Sequence, residues 1–217
     1  MNSLKPLFFI LTKPKVTLIN IFNKKNILIT VLLICFINAI LSLILTIELF
    51  NQTTLIKELN LNTSINNFLK IFTYLIAFFS SFINPLINTV ITTIIILITY
   101  YIFKIKIEFK QLFIIGLLAY IPYLIDISLR IIVQFFYNEI ITGHITSIFF
   151  FMTQNKNPMI NALKFYSIAS IWSIVIYIIG LTILVKKEKQ TIAITIVILL
   201  LLIITYSQGV INLKTIF

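Results

Sequence analysis

Charge is scarce in this chain. Only 11% of its residues are charged, against about 25% in a soluble domain. Six acidic residues stand against seventeen basic ones, a net charge of +11. With 60% hydrophobic residues and a mean hydropathy of +1.10, the chain cannot cover a water-facing surface. A single cysteine, Cys35, excludes an internal disulfide and a thiolate metal site. A single histidine, His144, excludes the paired-histidine zinc motifs, and standing alone in a polar stretch it reads as solvated. Four glycines form no phosphate-cradling loop and no nucleophile elbow. The basic excess does not interleave with aromatics on a polar surface, so nucleic acid is not implied. The lysines sit at the ends of apolar runs, where membrane topology and anionic headgroups account for them. No catalytic residue, cofactor-binding residue or metal ligand is assigned, and an enzyme is not expected.

What the chain has is long apolar runs. Residues 165–185 carry no charge over 21 positions, residues 186–190 read KKEKQ, and residues 191–208 are again uncharged. A helix rising about 1.5 Å per residue crosses hydrocarbon with about 20 apolar residues. Each run is a span, and the basic turn between them marks a cytoplasmic side. Residues 27–47 and 111–132 supply two more spans. The run 71–103 would reach roughly 50 Å as one helix, against a core of about 30 Å, and Ser80, Ser81, Asn84 and Pro85 interrupt it. Charge counting chooses between one span and two. One span from 85 to 103 leaves eleven basic residues on one side and six on the other, whereas two spans leave nine and eight. The biased arrangement follows the positive-inside rule.

The expectation is therefore an all-α integral membrane protein, a bundle of five transmembrane helices. Its spans lie at about 27–47, 85–103, 111–132, 165–185 and 191–208 in a single domain, 27–217. The N-terminus is cytoplasmic, the C-terminus external, and the location the cell membrane. Residues 1–26 hold five lysines and form a cytoplasmic amphipathic lead-in lying in the headgroups. Pro14 opens a short helix there, with Val16, Ile19 and Phe22 at helical spacing. The first long apolar stretch starts near Ile27 without a small-x-small site after it, so it is expected to remain as an anchor. Residues 71–84 are either an interfacial approach to the second span or part of a long bent second helix. Residues 48–70 and 133–164 are external loops, the second holding an apolar stretch, 145–152, on the outer surface.

Of the six acids, only Asp126 lies well inside an apolar run. Arg130 follows at i+4, the favourable order for an intrahelical pair. A structural ion pair within the membrane is expected; a solute or proton path is the alternative. Weakly polar stripes recur at helical spacing: Cys35, Asn38, Ser42 and Thr46; Ser81, Asn84, Asn88, Thr92 and Thr99; Gly116, Ala119, Tyr120, Tyr123, Asp126 and Arg130; Ala169, Ser173 and Gly180. Small and hydroxyl residues let helices approach in lipid. The other reading is a small polar cavity.

Three stretches carry a family likeness. NALKFYSIASIWSIVIYIIGLTILVKKEKQTIAITIV, residues 161–197, runs from an aromatic-Ser approach through Trp172 and Gly180 to a basic turn before the last helix. FKQLFIIGLLAYIPYLI, residues 109–125, holds Tyr120 and Pro122 in a Tyr-x-Pro. TKPKVTLINIF, residues 12–22, holds Pro14. Together they resemble the Yip family (Yip-one domain, Ypt/Rab-interacting type), in its bacterial branch. The resemblance implies five membrane helices, a cytoplasmic N-terminus, and a scaffold or adaptor without catalytic residues. Some bacterial members accompany membrane exporters, which implies an accessory role beside a membrane-protein partner. The eukaryotic branch binds small GTPases, but its Asp-Leu-Tyr-Gly-Pro signature is missing and Ala119 precedes Tyr120, so small-GTPase binding is not carried over. The expected function is a non-enzymatic scaffold, adaptor or accessory subunit for a partner such as an exporter or an envelope-stress system. The alternative is a small transporter or channel using the polar face around Asp126 and Arg130. The lipid bilayer is a partner in either case, and no cofactor is expected.

Overall fold

A computed structural model describes residues 5–23, 27–52, 63–137, 145–147 and 166–214. His144, the lysines at 24 and 25, the middle of the first external loop and most of the second lie outside the described residues. Among the described residues the chain is all-helical, with one isolated bridge between Ser147 and Ser167. The helices are α1 (Lys5–Thr12), α2 (Pro14–Phe22), α3 (Leu28–Gln52), α4 (Thr63–Ile102), α5 (Phe109–Leu118), α6 (Ile121–Tyr137), α7 (Ile168–Leu184) and α8 (Lys187–Lys214).

Among the described residues, three stretches are long and apolar enough to cross a membrane: Leu28–Phe50, Asn67–Ile102 and Phe109–Phe136. Helix α7 is apolar but shorter. The faces turned outward are the apolar ones. On α3, Leu32, Phe36, Ile40, Ile44 and Ile47 are exposed at three- and four-residue spacing; on α4, Ile76, Phe79, Ile83, Ile87 and Ile91 repeat the pattern. A soluble helix does the reverse. Asn38, Thr93, Asp126, Gln134 and Ser173 are buried instead. The chain is thus built for association with hydrocarbon.

Helix α4 is 40 residues long and runs through Pro85 without stopping, so of the two alternatives for 71–84 the structure has the long helix. It lies antiparallel to α3, with Ser81 opposite Ser42 and, nearer the far end, Phe50 edge-on to Tyr74 at 5.6 Å between ring centres. A proline lacks the N–H that would bond the carbonyl four residues back, here that of Ser81. Asn38 on α3 repairs the loss: its Nδ2 donates to the Ser81 carbonyl at 2.6 Å. Neighbouring helices make internal proline tolerable in lipid in this way.

The third expected span, 111–132, is two helices. Pro122 cannot donate to the Leu118 carbonyl, and the chain turns at Ala119 and Tyr120, where Tyr120 N bonds Leu117 O at 3.2 Å. Helix α6 then continues to Tyr137, five residues beyond the expected end. The N-terminal lead-in packs on the bundle, α2 against α5 and α7 and α1 against α6. Ile10, Leu18 and Ile21 are buried, while Val16 and Ile19 of the expected apolar face point outward.

Helix α4 ends in a left-handed turn. Ile105 N bonds Tyr100 O at 2.9 Å and Lys104 N bonds Tyr101 O at 3.1 Å, the two bonds of a Schellman motif. Lys104 takes the left-handed position with φ 54°. Lys189, in the first turn of α8, donates to the carbonyls of Phe103 and Lys104 at 3.4 and 2.8 Å. Gln190 donates to the Thr182 carbonyl at 2.9 Å near the end of α7. The two basic segments, 104–110 and 186–189, therefore share one end of the bundle. A left-handed residue with a side chain costs about 1–2 kcal/mol, and glycine returns part of that gain as chain entropy. Lys104→Gly is expected to raise stability by about 0.5–1 kcal/mol, read as a later midpoint in SDS unfolding of detergent-solubilised protein.

Helix α7 opens at Ser167, whose Oγ accepts from Ser170 N at 3.1 Å while Ser167 N donates to Ser170 Oγ at 2.9 Å, a reciprocal cap. Ile168 N also reaches the Thr146 carbonyl at 3.3 Å. Residues 145–147 are thereby tied to the start of α7.

Candidate functional site

The polar stripes converge. Asn38 is buried and sits at the crossing of three elements. Its Nδ2 holds the Ser81 carbonyl, its Oδ1 accepts from Tyr120 OH at 3.2 Å, and one turn on, Ser81 Oγ donates to Ser42 Oγ at 2.6 Å. The two proline-induced irregularities, at Pro85 and before Pro122, are thus joined through one asparagine side chain. Tyr100, farther along α4, donates its OH to the Ala193 carbonyl of α8 at 2.8 Å.

Beside this junction lies a cavity of about 230 Å³. Helix α4 contributes Asn88, Thr89 and Thr92, and the α5–α6 break contributes Gly116, Ala119, Tyr120 and Tyr123. Ser173 and Tyr177 enter from α7, with Ile127, Leu201 and Ile204 completing the wall. Members of the second, third and fourth stripes meet here, and among the described residues no charged side chain lines it. Tyr123 engages Ser173 through their hydroxyls. Asn88 Nδ2 donates to Asn84 Oδ1 at 2.6 Å, which leaves its own carbonyl oxygen as an acceptor. Gly116 makes room for Tyr177: a Cβ there would lie 2.5 Å from the Tyr177 hydroxyl and 2.9 Å from Thr89 Cγ2.

Asp126 and Arg130 lie one turn apart on α6, near enough for their charges to interact. The Asp126 carboxylate is buried and accepts from Thr146 Oγ1 at 2.5 Å and Thr146 N at 3.3 Å. It therefore anchors the segment that also caps α7. Gln134 is one further turn along the same face. It is fully buried, and among the described residues its amide nitrogen and oxygen have no hydrogen-bond partner; Arg130 Nε has none there either. The four-residue spacing 126, 130, 134 carries this signal in the sequence, but ending the span at 132 hides it. Thr89 and Tyr177 are also cavity residues outside the expected stripes. Tyr177 follows Ser173 at i+4, which is the signal that finds it.

The remaining positions fall into packing roles. Pro14 opens α2. Gly180 is buried against Ile115. Trp172 is 37% exposed and faces away from the core. Among the described residues, no three of His, Cys, Asp and Glu gather where a metal ion could be held. No family model, no curated protein and no solved structure matches the chain.

Proposed function

We propose that the chain is a multi-pass protein of the Yip type, with five spans in the cell membrane, a cytoplasmic N-terminus and an external C-terminus. It acts as a non-enzymatic scaffold or accessory subunit for a membrane-protein partner such as an exporter or an envelope-stress system. One observation carries this reading: a connected set of polar side chains in the interior joins helices to one another. Asn38, Ser42, Ser81 and Tyr120 bond one another, Tyr100 bonds α8, and Asp126 bonds Thr146. That is the economy of a docking frame. The Tyr120-x-Pro122 and Trp172 to Gly180 likeness supports the same reading, as does the clustering of lysines at one end. Affinity capture of the full chain from membranes in mild detergent tests it. A stoichiometric membrane-protein partner is expected; repeated recovery of lipid alone contradicts it.

A second reading, a small transporter, has one observation in its favour. The cavity is lined by a broken helix, α5–α6, and transporter sites are commonly built on discontinuous helices. Solute flux in proteoliposomes, compared with an Arg130→Ala variant, separates the two.

A further inference from the structure

The cavity between α4, the α5–α6 break, α7 and α8 has a definite chemistry. Among the described residues twelve line it; seven of these carry a hydroxyl or an amide, and none carries a charge. Asn88 lies fourteen residues before Ile102, so the cavity sits about 20 Å along α4 from the basic end, near the middle of a hydrocarbon core about 30 Å thick. Polar groups at that depth are costly unless something bonds them. Some are satisfied by neighbours: Tyr120 bonds Asn38, and Tyr123 engages Ser173. Tyr177 is not. It is 96% buried, its hydroxyl lines the cavity, and it makes no hydrogen bond to another described residue. The Thr89 and Thr92 hydroxyls also lack a partner among the described residues, although threonines elsewhere bond the carbonyl one turn back, as Thr73 and Thr99 do.

We propose that this cavity binds a small uncharged polyhydroxyl solute. A hydroxyl both donates and accepts, so the Thr89, Thr92 and Tyr177 hydroxyls and the Asn88 carbonyl match the alternating donors and acceptors of a polyol. The absence of a lining charge disfavours anions and cations, since a buried ion needs a counter-charge. An acyl chain would leave the hydroxyls and amides of the lining without partners at this depth. A space of about 230 Å³ suits a small polyol of three to five carbons. Gly116 keeps the Tyr177 hydroxyl in place, because any side chain there would push it aside. Binding of this kind stands independently of whether the chain is a scaffold or a transporter.

The full chain in nanodiscs of phosphatidylethanolamine and phosphatidylglycerol tests the proposal by saturation-transfer NMR with glycerol, erythritol and xylitol, and with glycerol 3-phosphate as the charged counterpart. Saturable binding of at least one of the three polyols is expected, with glycerol 3-phosphate at least tenfold weaker. Tyr177→Phe keeps the ring and removes the hydroxyl; it is expected to weaken binding five- to tenfold while the helical circular dichroism stays unchanged. Thr89→Val, an isosteric loss of a second hydroxyl, is expected to weaken it similarly. No saturable polyol signal up to 100-fold excess over protein, unchanged binding in both variants, or equal binding of glycerol 3-phosphate would each overturn the proposal, leaving a cavity filled by water alone.

Discussion

Asn38→Leu is expected to destabilise the bundle by about 1–3 kcal/mol, the cost of leaving a buried polar group unpaired. Leucine shares the branching of asparagine at Cγ and is itself apolar, so the loss reports chiefly on hydrogen bonds. Two groups lose their partner at once: the Ser81 carbonyl, which Pro85 has already deprived of its intrahelical donor, and the Tyr120 hydroxyl. Ordinary interhelical bonds in membranes average only about 0.6 kcal/mol, because the separated helices find other partners. The Ser81 carbonyl is different, since no residue of its own helix can serve it while Pro85 is present. A double-mutant cycle isolates this. Pro85→Ala restores an N–H to the Ser81 carbonyl, so in that background Asn38→Leu should cost about 1 kcal/mol less than in the native chain. SDS unfolding monitored by circular dichroism gives all four stabilities. Strict additivity of the two substitutions would remove the repair of Pro85 by Asn38.

The second large effect is at Gly180. A Cβ at this position would lie 2.5 and 2.7 Å from Cδ1 and Cγ1 of Ile115, which is itself fully buried. Helices α5 and α7 touch there at backbone distance. Forcing extra carbons into a packed contact typically costs about 1–3 kcal/mol, and Gly180→Leu is expected at or above the upper end. Gly180→Leu combined with Ile115→Ala moves the bulk from one helix to the other and should recover at least half of the loss. Thermal aggregation followed by size-exclusion chromatography measures both. A Gly180→Leu variant as stable as the native chain would mean that α5 and α7 do not pack closely. Both positions also set the cavity: Ile115 follows Ile114 and precedes Gly116, so a shift of α5 at this contact displaces Gly116 from Tyr177.

The class of the molecule was legible in its apolar runs, and so were the residues of the polar junction, because Asn38, Ser42, Ser81 and Tyr120 recur at helical spacing. Their partners were not. A proline inside an apolar run reads locally as an interruption, which leaves residues 71–84 open between an interfacial approach and a long bent helix. The helix passes through Pro85 because of a side chain 43 positions from the carbonyl it repairs, and no local pattern carries that information. The break before Pro122 is local in origin, yet the likeness to a Tyr-x-Pro motif does not say that Tyr120 would close on Asn38. Gln134 escaped for a simpler reason: hydropathy falls at the end of α6 before the helix does. The cavity was foreseen only as an alternative, since stripes on separate helices converge or diverge according to crossing angles that composition does not encode.

The two basic segments at 104–110 and 186–189 meet at one end of the bundle through Lys189, and the five-span reading requires that end to be cytoplasmic together with the N-terminal lysines. Single cysteines at Lys15, Lys106 and Lys187, introduced into a Cys35→Ala background, test this with a membrane-impermeant maleimide. All three are expected to react in inverted vesicles and to stay unreacted in intact cells. Labelling of any one of them from outside intact cells would contradict the five-span bundle.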